Sequence, residues 1–222
     1  MVECWVADVP NGKTTDFQGA VRATADETVA FSWIEWPDKA RRDNVMQRMD
    51  ELGKTDERFD LAKNPMPFHG KRMIYGGFEP IVEQGRHTSG SYVQGFTVPV
   101  PSAEREAYRE MAEDAWAMFK GYGALRIVEA WGDDVSDGNV TDFRRAVKAE
   151  PDERVVFSFM EWPSRKVCAA APRTAIADPL RFAVAIKALP YRWPAARRRR
   201  VPCCSVCVDH AGAQRSVISY GR

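Results

Sequence analysis

Tyr92, Gln94, Phe96 and Val98 recur at every second residue, the period of an extended chain with one buried face, and predict a strand over residues 91–101. The period then changes. Tyr108, Met111, Ala112, Ala115 and Phe119 fall at helical spacing and predict a helix from Ser102 to about Gly121, with Ser102 as N-cap, Arg105 at the capping-box position and Gly121 or Gly123 as the stop. Residues 125–131, 142–149 and 154–161 are rich in β-branched and aromatic side chains and predict three further strands, the first two joined by an Asp137-Gly138 turn. A polar helix is predicted over 39–52. Strand, helix, three strands, helix and strand, with the helices returning the chain to a mostly antiparallel sheet, make an α+β sandwich of ferredoxin-like type.

The pattern occurs twice. Val2-Glu3-Cys4-Trp5 matches Val128-Glu129-Ala130-Trp131, and the match continues without a gap to Trp36-Pro37 against Trp162-Pro163. About twenty of some thirty-six positions are identical, which marks two copies of one folding unit. Residues 1–83 form a first copy that lacks its opening strand and helix, and 84–90 a Gly/Ser/Thr linker. Residues 91–191 form a second copy that diverges after about 164, and 192–222 a basic, cysteine-containing tail.

Eleven Phe and seven Trp among 222 residues supply apolar material for one large or two small cores. No apolar run spans a bilayer, and Met1 to Cys4 lack the basic start of a secretory signal, so a cytoplasmic protein with no membrane partner is expected. The five cysteines are not spaced as a disulfide framework, and reduced thiols are expected. The formal charge of +1 hides an acidic body, because seven arginines stand in the tail after Tyr191. An acidic body does not attract phosphates, which argues against a nucleic-acid partner.

Tyr92-Val93-Gln94-Gly95-Phe96, Tyr108-Arg109-Glu110-Met111-Ala112, Gly123 to Glu129, Trp131-Gly132-Asp133-Asp134-Val135, Val147-Lys148-Ala149 and Lys71-Arg72-Met73-Ile74-Tyr75-Gly76-Gly77-Phe78 resemble the YbaA-like family of bacterial domains of unknown function. The likeness runs over roughly 2–83 and 91–164. It implies a dimeric α/β-barrel fold, in which two ferredoxin-like units set antiparallel sheets face to face. The partner implied is thus the protein itself, as an intrachain pseudo-dimer or a homodimer. No activity or cofactor is implied. Some relatives carry a label naming the RNA of the signal recognition particle; no RNP-like aromatic motif or GXXG loop supports it here.

After Trp162-Pro163 the second copy leaves the family pattern, and Pro172 falls where a helix is due, at a cost of about 3 kcal/mol in a helix interior. Asp178-Pro179, Phe182 and Leu189-Pro190-Tyr191 still echo the first copy. Codons for 192–202, read with one base deleted, can spell most of the missing motif up to Gly-Gly-Phe. A frameshifted tail without ordered structure is therefore expected. Cys204, Cys207 and His210 imitate a zinc ligand set, but their spacing is too compressed for a structural site, and no metal is expected.

Glu129 and Trp131 share strand parity with Leu125 and Ile127, and Glu161 shares that of Val155, Phe157 and Phe159, which places carboxylates on apolar faces. Glu129 and Glu161, with first-copy counterparts Glu3 and Glu35, are candidate acid and base for a small organic molecule in the inter-sheet cleft. The competing reading is ion pairing with Arg126, Arg144, Arg145 or Lys148. Trp131 and Trp162 are candidates to line that cleft, Asp142 to cap a turn or touch a ligand, and Arg72 and Tyr75 to hold an anion unless they mark a solvated strand edge. His69 and His87 show no partner cluster in the sequence. Two functions stay open: small-molecule binding or turnover in the cleft, and non-catalytic assembly. A closed pocket holding a carboxylate favours the first, and a cleft filled by Phe and Trp the second.

Overall fold

The computed structural model describes residues 1–12, 14–177 and 204–208, with 172–177 and 204–208 described by backbone alone. The first half contains β1 (Val2–Asp8), α1 (Phe17–Ala20), β2 (Ala30–Trp33), α2 (Lys39–Leu52) and β3 (Gly77–Gly85). The second contains β4 (Tyr92–Pro101), α3 (Arg105–Gly121), β5 (Arg126–Asp134), α4 (Phe143–Val147), β6 (Glu153–Trp162), α5 (Arg165–Ala177) and β7 (Cys204–Val208). The strands form an antiparallel array in the order β2-β1-β7-β4-β6-β5-β3. The run β7-β4-β6-β5 is the fourth, first, third and second strand of the second half, the ferredoxin-like order. The two halves also exchange strands: β3 pairs with β5, and β7 pairs with β1.

The matched blocks fold alike. In each, an aspartate caps a one-turn helix, Asp16 accepting from the Gly19 amide at 2.7 Å and Asp142 from the Arg145 amide at 2.8 Å. Each also accepts from the glycine four residues upstream, Gly12 at 3.1 Å and Gly138 at 3.2 Å. A Cβ at those glycines would stand 1.8 Å and 2.0 Å from the Thr15 and Thr141 carbonyl oxygens, so no other residue fits there unchanged. Each helix then exits through a left-handed residue, Arg22 at φ 51° or Lys148 at φ 54°. These caps overturn the strand expected over 142–149: local hydrogen bonding fixes a helical turn that the β-rich composition hid.

Other boundaries differ from expectation. The Ser102 amide and hydroxyl both donate to the Asp152 carbonyl at 2.8 Å, so Ser102 does not cap α3, which a 3₁₀ turn at Ser102–Glu104 precedes instead. Gln84 and Gly85 belong to β3, paired with Ile127 and Arg126, which shortens the linker. Arg72 lies in a 3₁₀ turn, Gly70–Arg72, ahead of that strand. Helix α5 continues past Pro172 to Ala177. Within the tail, 204–208 form a strand between β1 and β4, where ordered structure was not expected. Residues 178–203 and 209–222, with the echoes at Phe182 and Leu189 to Tyr191, the arginine run and His210, lie outside the described residues.

The inner faces of the two halves share one core. Phe31 and its counterpart Phe157 stack with centroids 4.9 Å apart and planes 9° from parallel, beside Phe17, Phe143 and Phe159. Trp33 stacks on Phe159 at 4.0 Å. Gly95 on β4 leaves room for Phe31, whose ring a Cβ there would meet at 2.6 Å. Two reciprocal bonds frame this core. Thr15 Oγ1 donates to the Ala146 carbonyl and Thr141 Oγ1 to the Ala20 carbonyl, each at 2.6 Å, as a two-fold relation between the halves requires. On the outer face, α3 and α5 cover Ile127, Met160 and Trp162 in one cluster, and Tyr108 joins Val100, Trp131 and Val156 in another.

Candidate functional site

Ladder pairing places Glu161 on β6 opposite Arg126 on β5 and Val93 on β4, on the inner face. Its side chain is 0% exposed. A carboxylate so enclosed must be saturated by donors. His87 Nδ1 lies 3.0 Å from both oxygens, the Thr88 amide donates at 3.1 Å, the Ser91 hydroxyl at 3.0 Å, and Arg126 Nη1 at 3.4 Å. Arg126 also donates to Glu83 at 2.6 Å and Glu35 at 3.0 Å, and its guanidinium lies 5.4 Å from the Phe159 ring. Burial pushes the Glu35 carboxyl up, but hydrogen bonds from Arg126 and Trp33 outweigh it and leave it below the ordinary range. Burial, reinforced by the Glu161 charge, pushes the Cys4 thiol up to about 12, so this cysteine is no nucleophile.

The cluster joins Glu35 and Glu83 of the first half, Arg126 and Glu161 of the second, and His87, Thr88 and Ser91 of the connection between them. Its electrostatics can fix the register of the two halves. It also presents a histidine held through one ring nitrogen by a carboxylate, an arrangement able to exchange protons through the other.

Glu129 lies elsewhere. Its ladder partner is Ser158, and it stands three positions along β5 from Arg126, so it points to the opposite, helix-covered face from Glu161. The Tyr108 hydroxyl donates to it at 2.8 Å and the Ser158 hydroxyl donates as well. Burial pushes its carboxyl up to about 7, against those two hydrogen bonds. The acid and base pair expected of Glu129 and Glu161 is therefore not assembled, because Glu129 and Arg126, the ladder partner of Glu161, fall on opposite faces of β5.

The remaining candidates scatter. Trp131 is buried in the outer layer with the Arg105 guanidinium 6.0 Å above it, and Trp162 packs edge-on against Phe119. Asp142 spends both oxygens on the α4 cap and on Arg145. Arg72 donates to Glu27 and to the Arg22 carbonyl, and Tyr75 is exposed. Glu3 is exposed, and Glu35 reaches Arg126 from a largely exposed position.

Sequence reading missed His87 and Ser91, while Arg126, named there as an ion-pair partner of the glutamates, does pair with Glu161. Arg126 carried a signal, since it shares parity with Val128 and Ala130 and is a lone cation on an apolar face. His87 carried none, because its partner is seventy-four positions away. A shallow depression of about 280 Å³ lies between α1 and α4, lined by Thr15, Ala20, Arg22, Thr141, Ala146 and Lys148. Among the described residues no group of three or more His, Cys, Asp and Glu side chains could hold a metal, and no helix is long and apolar enough to cross a membrane.

Known proteins match this chain. Uncharacterized protein YbaA of Escherichia coli K12 is 58% identical over 88 residues, covering 40% of this chain and 75% of that protein, and the YbaA of Shigella flexneri matches equally. The crystal structure of an anthrone oxidase-like protein superposes with a TM-score of 0.50 at 15% identity, over 93% of this chain and 76% of the other, a likeness of fold alone. It agrees with an α+β architecture of the dimeric α/β-barrel kind. The model of DUF1428, described as a protein of unknown function, matches residues 1–70 and 91–191, and the chain belongs to that family.

Proposed function

We propose that this chain is a non-catalytic assembly module, which performs within one polypeptide the pairing of two YbaA-like units. The observation that carries the reading is the filled inter-sheet space: Phe17, Phe31, Phe143, Phe157 and Phe159 occupy the volume where a substrate would bind. The buried Glu161 is saturated by protein donors, so it serves the junction of the halves. Thermal unfolding of the full chain against a metabolite and metal library tests this. No compound is expected to raise Tm, and a dose-dependent rise from a small organic molecule counts against the assembly reading.

A second reading rests on the His87–Glu161 contact, with the His87 side chain 45% exposed. Proton transfer to or from a small molecule at the core's edge would use His87 as acid or base, oriented by Glu161. A library hit whose effect disappears in His87→Gln would favour this reading over the first.

A further inference from the structure

Six residues, 86–91, join the two halves between β3 and β4. Strand pairing sets the path they must cover. Gly85 at the end of β3 pairs with Arg126, Arg126 with Glu161, and Glu161 with Val93 near the start of β4, so the connection crosses the ends of β5 and β6. Three strand spacings make that crossing about 14 Å, whereas the extended chain from Gly85 to Tyr92 reaches about 24 Å. The connection is longer than its crossing, and local contacts take up the slack.

Those contacts converge on one carboxylate. His87 Nδ1, the Thr88 amide and the Ser91 hydroxyl all reach Glu161, at 3.0, 3.1 and 3.0 Å. The Ser91 amide closes a turn onto the Thr88 carbonyl at 3.1 Å, and the Arg86 amide donates to the Leu125 carbonyl at 3.2 Å. Two glycines in the left-handed region shape the bend, Gly85 at φ 85° and Gly90 at φ 78°. A Cβ at Gly90 would meet nothing within 4 Å, so glycine is required there by the backbone alone. The contacts that join the halves do not depend on this path. The β3–β5 ladder, the reciprocal Thr15 and Thr141 bonds and the Phe31–Phe157 stack each link one side of the connection to the other, and they form equally well between two copies of the chain.

We propose that residues 86–91 are a clamped hinge. Fastened to Glu161, they keep both halves within one chain; released, they let two copies exchange first halves, so that Glu35 and Glu83 of one copy close on Arg126 and Glu161 of the other. The partner is a second copy of this chain, and the exchanged dimer regenerates the contacts between halves with the connection extended. Effective concentration favours the single chain while the clamp holds the bend, and strain in the bend acts against it once in each chain of a pair. This rests on the assembly reading and names what decides between its intrachain and interchain forms.

The test refolds the full chain from denaturant at low and at high protein concentration and follows its mass by sedimentation. The unaltered chain is expected to refold as a monomer at both. Gly90→Val forces a side chain into the left-handed bend. Each hinge relieved of that strain favours exchange about tenfold, so the dimer association constant should rise about a hundredfold. His87→Ala combined with Ser91→Ala keeps both glycines and removes two contacts to Glu161, and should raise the constant at least about tenfold. A third protein separates exchange from association through an ordinary surface: a site-specific protease sequence replaces residues 86–91, which removes the clamp and allows cutting there. An exchanged dimer, once cut, falls to particles with the mass of one chain, each holding a first half and a second half through the shared core. A dimer mass that survives cutting overturns the proposal. So do altered chains that stay monomeric at high concentration, or an unaltered chain that dimerises as readily as they do. Near-ultraviolet circular dichroism identifies the folded fraction on which the masses are read. These outcomes turn on chain exchange, whereas the ligand library tests the assembly reading separately.

Discussion

Trp5 and Trp131 occupy equivalent positions on equivalent strands, and one is exposed while the other is buried. Phe31 and Phe157 are equivalent too, yet both are buried. The contrast separates two sources of burial. The inner face of each half is covered by the opposite half, so both copies finish it. The outer face of the second half is covered by α3 and α5, and among the described residues no helix covers Trp5 in the first. The same residue therefore contributes to stability in one copy and stands free in the other, and identity between repeats does not imply equal energetics.

Tryptophan truncation should break the comparison most visibly. Trp131→Ala is expected to lower unfolding free energy by roughly 3–5 kcal/mol, and Trp5→Ala to change it by less than about 0.5 kcal/mol, in denaturant titration. Equal losses would mean that the outer faces are covered alike.

Next comes Glu129, whose carboxyl is raised from 4.5 to about 7. Because the folded state holds its proton longer than the unfolded state, stability should fall as pH rises through that interval, by roughly 3 kcal/mol at most, and level off above it. Glu129→Gln should flatten the decline while leaving stability near pH 4 unchanged, as read by urea midpoints across pH. A decline that persists in Glu129→Gln assigns it to another group.

Glu161 and Glu35 are a third equivalent pair with unequal surroundings. Glu161→Gln is expected to lose about 2 kcal/mol, because buried donors to a charged acceptor are left underused. Glu35→Gln, at a largely exposed position, should lose less than about 1 kcal/mol by the same measurement. The threonine bonds sharpen the comparison from the other side. Thr15→Val and Thr141→Val should each lose about 1 kcal/mol, and by equal amounts, since the bonds are reciprocal.

Much of the fold was legible in local pattern. The strand at Tyr92–Pro101 follows from spacing, the helix at Lys39–Leu52 was read as a polar helix with the same bounds, and the gap-free match of the two blocks anticipated their common caps. The helical turn at Phe143–Val147 was not legible, because Phe143, Ala146 and Val147 suit either period and only the Asp142 cap decides between them. Of the candidate site, alternation put Glu161 with Phe157 and Phe159 and Glu129 with Ile127. That alternation alone does not tell which face meets the other half and which meets a helix. The contact of His87 with Glu161 was invisible, since side chains distant in sequence meet only through chain path.

By itself, then, the sequence determined the strand and helix periods, the residues sharing each face and the gap-free match between the two blocks. Those are properties of neighbouring residues and of identity between segments. The tertiary structure decided which faces are buried, that Glu129 and Glu161 are kept apart by the sheet, and that Arg126, Glu161 and His87 come together between the halves. Burial and ion pairing depend on what packs from elsewhere in the chain, and no local pattern carries that information.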